Sequence, residues 1–292
     1  MDVARMAIAA LAVFVGSNAV WACADGDSSG EPTRVVIEVR DPSPARVALS
    51  APRSVPAGTV TIELRNRGDT HHDAQLFRVD NGRTSAEVVG VLESSDSASK
   101  PGWLHPAGGV AATSPGDTAT VTQILAPGTY YVADTQERAM ANEARRTNAT
   151  KGGIVRFVVE GEADAELPKT AATITASDDG YKTDGIVAGP NRVTFRNAGK
   201  ELHQAVALPI DEELGYREGR RRALARHDDT GWVPVDVRHE RATAVLEDGG
   251  EQIVELTFDP GRYVLLCFVS PRAGGAAQWQ LGMSSELEAR RR

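Results

Sequence analysis

The sequence predicts an all-β fold made of two tandem Greek-key β-sandwiches. Short runs in which apolar and polar residues alternate are separated by turn residues, and no long amphipathic helix interrupts them. The chain also repeats itself at an offset of about 130 residues, so that the segment Ala57–Phe77 matches the segment Ala188–Leu208. A length of 292 residues accommodates two ordinary domains, and the repeat therefore predicts one sandwich in each half of the chain.

The matched positions keep a constant spacing at the start of each copy. They are Ala57, Gly58, Asn66, Gly68 and His72 in the first copy, and Ala188, Gly189, Asn197, Gly199 and His203 in the second. Farther along, Gly102 and Trp103 match Gly231 and Trp232, and the turn Pro127–Tyr130 matches the turn Pro260–Tyr263. Four residues beyond these turns, Asp134 aligns with Cys267. Only the second copy therefore has a cysteine at this position.

Alternation identifies the buried face of the strand that follows each Ala-Gly pair. Val60, Ile62 and Leu64 alternate with polar residues in the first copy, and Val193 and Phe195 occupy the same phase in the second. These five side chains are predicted to face the core.

Two other segments of the second copy have distinct patterns. The run Tyr263–Val269 is apolar throughout, which is typical of a strand covered on both faces. The segment Glu218–His227 lies in an insertion, carries several arginines and predicts at least one helical turn.

The composition along the chain predicts the domain boundaries. A first domain occupies residues 34–160, and a second occupies residues 170–287. Residues 161–169 are acidic, contain Pro168 and are predicted to be the linker. Residues 288–292 form a basic tail.

The beginning of the chain predicts export. Residues 1–22 read as a signal peptide with the apolar run Met6–Val20. The sequence Val20-Trp21-Ala22-Cys23 resembles a bacterial lipobox, which implies lipidation of Cys23 and a membrane anchor. Residues 23–33 are rich in Gly, Ser and Asp and predict a flexible tether. The alternative is an ordinary secretory peptide cut near Ala22, which would leave a soluble secreted or periplasmic protein.

Charge and cysteine content narrow the function further. The net charge of −8 argues against a nucleic-acid partner, because phosphate binding requires a clustered basic face. If Cys23 carries lipid, Cys267 has no disulfide partner in an oxidising compartment, which favours its burial or its binding of a metal.

Three segments of the second copy resemble the cupredoxin family. The segment Phe195–His203 is similar to its F-x-N-x-G-x-x-x-H motif, and the segment Pro260–Cys267 is similar to its P-G-x-Y-x-x-x-C motif. Leu281-Gly282-Met283 is similar to the Gly-Met that ends the ligand loop of the family. The resemblance implies copper ligands at His203, Cys267 and Met283.

The second histidine ligand of that family is missing. No histidine lies between Cys267 and Met283, and Gln278 stands about where some relatives have one. Gln278 is therefore a candidate fourth ligand, and a set with a single imidazole favours Cu(I). In the first copy Asp134 replaces the cysteine and Ile154 falls where methionine would be, so no blue-copper centre is predicted there.

Two-domain multicopper oxidases and nitrite reductases have a similar layout. They need several His-x-His pairs and a cysteine flanked by histidines, and the sequence has neither. It also lacks His-Glu-x-x-His and Cys-x-x-Cys motifs. The sequence therefore predicts that the protein is not an enzyme.

Two functions remain open. In the first, the second domain binds one copper ion and the protein is a carrier or an electron-transfer protein with a redox partner. In the second, Cys267, Met283 and His203 are structural and no cofactor is bound. The protein would then be a binding module of the cell envelope, whose insertions bearing Trp103 and Trp232 contact a protein or small ligand. The two tryptophans are equally explained by packing.

Overall fold

Both halves of the chain are built from strands. The structure, a computed structural model, describes residues 32–94, 97–138, 146–210, 213, 215–228 and 241–291. The predicted signal peptide, Cys23, most of the predicted tether and Trp232 lie outside the described residues. We use "first half" for residues 33–160 and "second half" for residues 172–289.

The described strands of the first half are β1 (Thr33–Ser43), β2 (Arg46–Ser50), β3 (Ser54–Pro56), β4 (Gly58–Asn66), β5 (His72–Val79), β6 (Leu104–Thr113), β7 (Thr118–Leu125), β8 (Gly128–Ala133), β9 (Glu137–Arg138), β10 (Arg146–Thr147) and β11 (Ile154–Glu160). Those of the second half are β12 (Ala172–Ser177), β13 (Gly180–Asp184), β14 (Gly189–Asn197), β15 (Val206–Ile210), β16 (Arg241–Ala242), β17 (Glu251–Phe258), β18 (Gly261–Leu266) and β19 (Ser284–Ala289). Helix α1 spans Ser85–Leu92, helix α2 spans Tyr216–Asp228, and a 3₁₀ turn spans Asn148–Lys151.

One eight-stranded sheet connects the two halves, in the order β13-β12-β14-β17-β7-β4-β1-β2. The second layer consists of a five-stranded sheet, β3-β11-β8-β5-β6, in the first half and a four-stranded sheet, β16-β15-β18-β19, in the second. The halves join where β17 pairs with β7, with Gln252 opposite Gln123. Residues Pro32–Arg292 form one compact unit, and the division of this unit into two domains stays a prediction.

The predicted inward-facing residues are confirmed. Val60, Ile62, Leu64, Val193 and Phe195 are all fully buried. They belong to one apolar cluster that contains residues of both halves. This continuous core places both halves on a common scaffold.

The strand pairing is mainly antiparallel, with three parallel pairs among the described strands: β3 runs parallel to β11 in the first half, and one further pair is repeated in both halves. Strand β1 runs parallel to β4, and β12 runs parallel to β14. In the first half the chain crosses to the opposite sheet as β3 before returning as β4, which allows the parallel pairing.

The two Pro-Gly-x-Tyr turns are also equivalent in structure. The Tyr130 hydroxyl donates a hydrogen bond to the Ala126 carbonyl at 2.9 Å, and the Tyr263 hydroxyl donates to the Asp259 carbonyl at 2.9 Å. Each tyrosine therefore ties its strand to the start of the preceding turn.

The helices are short and local. Helix α2 agrees with the predicted helical segment, and the Arg221 and Arg222 side chains pair with Glu218. Helix α1 was not predicted, although Thr84 and Glu87 form a capping box at its start. No helix in the described part of the chain is long and apolar enough to cross a membrane.

The predicted boundaries fall close to changes in the structure. Residues 161–169 contain neither helix nor strand. Strand β19 ends at Ala289, two residues into the predicted basic tail.

Candidate metal centre

The turn between β14 and β15 places His203 at one end of the second half. The Asn197 side chain shapes this turn, because its oxygen accepts from the Gly199 amide at 2.9 Å and its nitrogen donates to the Glu201 carbonyl at 2.7 Å. The His203 amide and carbonyl both pair with the backbone of Leu246. The imidazole is therefore held by a rigid backbone.

Asp178 orients the imidazole ring. One oxygen of its carboxylate accepts from the backbone amides of Lys200 and Glu201, at 2.9 and 3.2 Å. The same oxygen lies 3.1 Å from His203 Nε2. A carboxylate at Nε2 fixes the proton on that nitrogen and leaves a lone pair on Nδ1.

His203 Nδ1 has no hydrogen-bond partner among the described residues, although it is completely buried. Buried polar nitrogens are rarely left without a partner, so such an atom needs an explanation. Burial lowers the pKa of His203 below its ordinary value despite the Asp178 carboxylate. The ring is therefore neutral near pH 7 and offers a free electron pair to the interior.

Cys267 lies next to the same turn, directly after β18. It is fully buried, and its Sγ atom lies 3.9 Å from the Leu202 carbonyl oxygen. The Gln278 side-chain nitrogen donates to the same carbonyl at 2.6 Å. Because Leu202 directly precedes His203, the cysteine and the glutamine both face the histidine turn. Burial raises the pKa of the Cys267 thiol.

Met283 completes the predicted set. Leu266 pairs with Ser284 across β18 and β19, so that Met283 lies across from Cys267 in the continuing register. The Met283 amide donates to the Gln278 carbonyl at 3.0 Å, and the methionine is buried. The structure thus brings the four sequence-predicted residues to one buried end of the sandwich.

The first half has a counterpart at the same place. Gln75 lies three residues after His72 and pairs with Ala133. Val206 lies three residues after His203 and pairs in the same way with Leu266. Asp134 therefore occupies the structural position of Cys267, as the sequence alignment predicted.

The predicted counterpart of Met283 was wrong by one residue. Ile154 pairs with Ala133 as Ser284 pairs with Leu266, so Gly153 is equivalent to Met283. The Gly153 amide donates to the Asn148 carbonyl, which makes Asn148 the counterpart of Gln278.

A hydrogen-bonded cluster fills the first-half position. His72 Nδ1 contacts the Asp134 carboxylate, and His72 Nε2 lies 3.0 Å from Asp41 Oδ2. The Asn148 side-chain nitrogen donates to Asp134 at 3.0 Å. Both imidazole nitrogens of His72 therefore have carboxylate partners, whereas His203 has a carboxylate partner only at Nε2.

Within the described residues, no three His, Cys, Asp or Glu side chains come together as a metal site. Of these residue types, the predicted ligand set of the second half contains only His203 and Cys267. Any ion bound there would depend on the softer thioether and on the amide for its remaining donors.

Trp103 lies apart from this centre. It is half-buried beside an apolar cluster of the first half, and the Arg83 guanidinium lies 4.6 Å from the centre of its ring. These contacts give Trp103 a packing role.

Asp178 and Asp41 were missed by the sequence reasoning. Each lies two residues beyond an equivalent paired position in the first strand of its half. Asp178 lies two residues beyond Ala176, which is opposite Asn197, and Asp41 lies two residues beyond Val39, which is opposite Asn66. Aligning these first strands, as well as the histidine segments, would have found both carboxylates. Tyr181, whose hydroxyl donates to the Gln204 carbonyl at 2.5 Å, carried no such signal.

Gly199 is required by the close approach of Asp178 to His203. A Cβ atom at Gly199 would lie 2.5 Å from His203 Nε2 and closer still to Asp178 Oδ1. We expect Gly199→Ala to lower the free energy of unfolding by about 1–3 kcal/mol, measured by denaturant titration. Gly102→Ala is the control, since nothing lies within 4 Å of its Cβ position. Equal stabilities of the two variants would contradict this account.

Comparisons with known proteins found similarity to solved structures only. No family model and no curated protein matches the sequence. Among solved structures, a multicopper oxidase is 14% identical over 88% of this chain and 88% of its own, with a TM-score of 0.26. An auracyanin from the photosynthetic bacterium Roseiflexus castenholzii is 24% identical over 45% of this chain and all of its own, with a TM-score of 0.28. Auracyanin B is 19% identical over 45% of this chain and 92% of its own, also with a TM-score of 0.28.

The predicted all-β sandwich class is confirmed by the sheets described above. At such TM-scores the likenesses carry no argument about activity, ligand or partner. The function must therefore be inferred from the residues of this chain.

Proposed function

We propose that the second half binds one copper ion and that the protein is an extracytoplasmic copper carrier or electron-transfer protein, not an enzyme. The four residues that would hold the ion are His203, Cys267, Met283 and Gln278. The lipidated Cys23 would anchor the chain to a membrane, and the partner would be a redox or cell-envelope protein.

One observation carries this proposal. His203 Nδ1 is buried without a hydrogen-bond partner among the described residues, whereas Nδ1 of its counterpart His72 contacts Asp134. Cys267 stands at the position of Asp134. An ion that accepts the electron pair of Nδ1 and the charge of a thiolate would satisfy both groups.

Each residue has a distinct task. Asp178 holds the proton on His203 Nε2, so that Nδ1 remains a donor of electrons. The Gln278 nitrogen is committed to the Leu202 carbonyl, which leaves the amide oxygen as the atom that can act as a ligand. The Cys267 thiol has to lose its proton when a metal binds.

The donor set determines the oxidation state. One imidazole, one thiolate and one thioether form a soft set, and bound copper would supply a Cu(I) centre suited to storage or one-electron transfer. The sulfur-bearing residues and the imidazole are at most 3% exposed. A substrate has no access to such a site, which supports a non-catalytic role.

The experiment is a copper titration of the full chain under reducing and then oxidising conditions. We expect one copper per chain and, for Cys267→Ser, an affinity lower by at least about 100-fold, because the thiolate is the only charged donor of the set. Cys23→Ser is the matched control, since it removes the other cysteine and should bind as the wild type does. Stoichiometric copper retained by Cys267→Ser would disprove the proposal.

A metal-free binding module is the second candidate. It is favoured by the Leu202 carbonyl, which accepts from both Cys267 and Gln278 and so satisfies these polar groups without an ion. In that case copper would leave the melting temperature unchanged. A marked rise in melting temperature with copper supports the carrier instead.

A further inference from the structure

The first half contacts the loop that carries Gln278 and leads directly to Met283. We call residues 268–282 the ligand loop, because it contains Gln278 and ends just before Met283. The Gly275 amide donates to the Ser97 carbonyl at 2.8 Å, and the Lys100 amide donates to the Arg272 carbonyl at 2.8 Å.

The approach of the two segments is close. A Cβ atom at Gly274 would lie 2.6 Å from the Ser97 carbonyl oxygen, and Gly274 has a φ of +89°. Glycine is therefore needed there both for its backbone conformation and for the contact. The ligand loop is fitted against the first half rather than free in solvent at this point.

Arg272 makes the most extensive of these contacts. Its guanidinium donates to the carbonyls of Leu104 and Pro101, at 3.1 and 3.3 Å. It also lies 3.8 Å from the Glu247 carboxylate. Two backbone carbonyls of the first half are thus bound by one side chain of the ligand loop, which remains 29% exposed.

The backbone of Arg272 extends this connection to the histidine turn. The Arg272 amide donates to the Glu201 carboxylate at 2.6 Å. The Glu201 amide donates in turn to Asp178, the residue that orients His203. Arg272 therefore joins the ligand loop, the first-half segment Ser97–Leu104 and the turn that delivers the imidazole.

This arrangement bears on how an ion could enter or leave. His203, Cys267, Gln278 and Met283 are all buried, so exchange requires part of their surroundings to move. Cys267 follows a central strand and His203 is paired with Leu246, whereas the ligand loop between Cys267 and Met283 contains no helix or strand. Withdrawal of the ligand loop is the movement that costs least, and it breaks the contacts of Arg272.

We propose that Arg272 is a positioning residue through which the first half holds the ligand loop closed and slows copper exchange at the second-half site. This inference rests on the proposed function. It gives the first half, which has Asp134 in place of a cysteine, a role in the function of the second half.

The test measures transfer of Cu(I) from the full chain to a chromophoric Cu(I) chelator. We expect Arg272→Ala to release copper about tenfold faster, because two hydrogen bonds from a charged donor are lost. The release rate of Arg272→Lys should lie between those of Arg272→Ala and the wild type. Lysine retains the charge, but its ammonium group lacks the planar guanidinium geometry that donates to both carbonyls. Gly274→Ala should also accelerate release by pushing the loop away from Ser97.

Arg262→Ala is the matched control. Arg262 is 26% exposed, and its ion pair with Glu286 lies within the second half, away from the contacts of Arg272 with Pro101 and Leu104. Its release rate should equal that of the wild type. An unchanged rate in Arg272→Ala, or an equal acceleration in Arg262→Ala, would overturn the inference.

A copper-free measurement separates this inference from the proposed function. In the metal-free chain, hydrogen exchange of the Gly274 and Gly275 amides should be faster in Arg272→Ala than in Arg262→Ala. If the wild type binds no copper, the proposed function fails. If these amides exchange equally in both variants, the closure by Arg272 fails, whether or not copper binds.

Discussion

Replacement of Gln278 by histidine is expected to turn the second-half site into a blue-copper centre. The variant would supply a second imidazole beside His203, Cys267 and Met283, which completes the ligand set of such centres. Cu(II) affinity should rise by more than the roughly 10–100-fold that outer-shell residues contribute. The measurement is the visible spectrum after Cu(II) addition, in which an intense thiolate charge-transfer band should appear.

The position of Gln278 makes this outcome specific. It is buried and already directed to the turn of His203 by its hydrogen bond to the Leu202 carbonyl. Gln280→His is the matched control, because Gln280 lies on the same ligand loop but is exposed. A band in the control, or none in Gln278→His, would show that Gln278 does not occupy a ligand position.

The sequence predicted the centre because its residues lie in segments with strong local patterns. The Asn-x-Gly turn before His203 and the Pro-Gly-x-Tyr turn before Cys267 each determine local geometry, and the repeat doubles both signals. Strand alternation likewise predicted the buried face. These features depend on neighbours in sequence, which is why they could be inferred from sequence alone.

The parts that could not be predicted depend on contacts between distant segments. Arg272 reaches residues about 170 positions earlier, and no local pattern marks such a pair. Ile154 was assigned as the counterpart of Met283 in place of Gly153 because the segments that follow Asp134 and Cys267 differ in length. When such segments differ in length, the hydrogen-bonded register of the final strand shows which residues are equivalent, and counting residues along the sequence does not.

The two halves satisfy the same histidine in different ways. In the first half the Asp134 carboxylate contacts Nδ1 of His72, whereas in the second half Cys267 stands at the position of Asp134 and Nδ1 of His203 has no hydrogen-bond partner among the described residues. A carboxylate can share a proton with the ring, whereas a buried neutral thiol is a weak partner. The first half is thereby stabilised without an ion, and the second half has a nitrogen that an ion can use.

Loss of the first-half carboxylate should therefore be costly. We expect Asp134→Ala to lower the free energy of unfolding by about 3–5 kcal/mol, because it leaves His72 and Asn148 buried without their acceptor. Asp80→Ala is the control: Asp80 also pairs with a histidine, His105, but it is 62% exposed, so its removal should cost less than about 1 kcal/mol. Denaturant unfolding at pH 6 measures both. Similar losses in the two variants would contradict the proposed importance of the buried pair.

The same cluster predicts how stability changes with pH. Burial by itself lowers the pKa of His72, but the Asp134 and Asp41 carboxylates outweigh burial and raise it above its ordinary value. Burial and the charge of Asp134 raise the pKa of Asp73 to about 7. In both cases the folded state binds the proton more tightly than the unfolded state does. The stability that His72 contributes is complete below its unfolded pKa of about 6.5 and is lost as the pH rises through its folded pKa.

Asp73 acts in the same direction, and its contribution is lost as the pH rises from its unfolded pKa of about 4 to its folded pKa of about 7. These two groups should therefore lower the stability of the wild type between pH 5 and pH 8, by about 1.4 kcal/mol per pH unit for each proton that only the folded state binds. The lowered pKa of His203 acts in the opposite direction, but only below its unfolded pKa of about 6.5. Asp134→Ala removes the partner of His72 and the negative charge beside Asp73, so its stability should depend less on pH over this range. If the stability of Asp134→Ala falls as steeply with pH as that of the wild type, the groups that titrate lie outside this cluster.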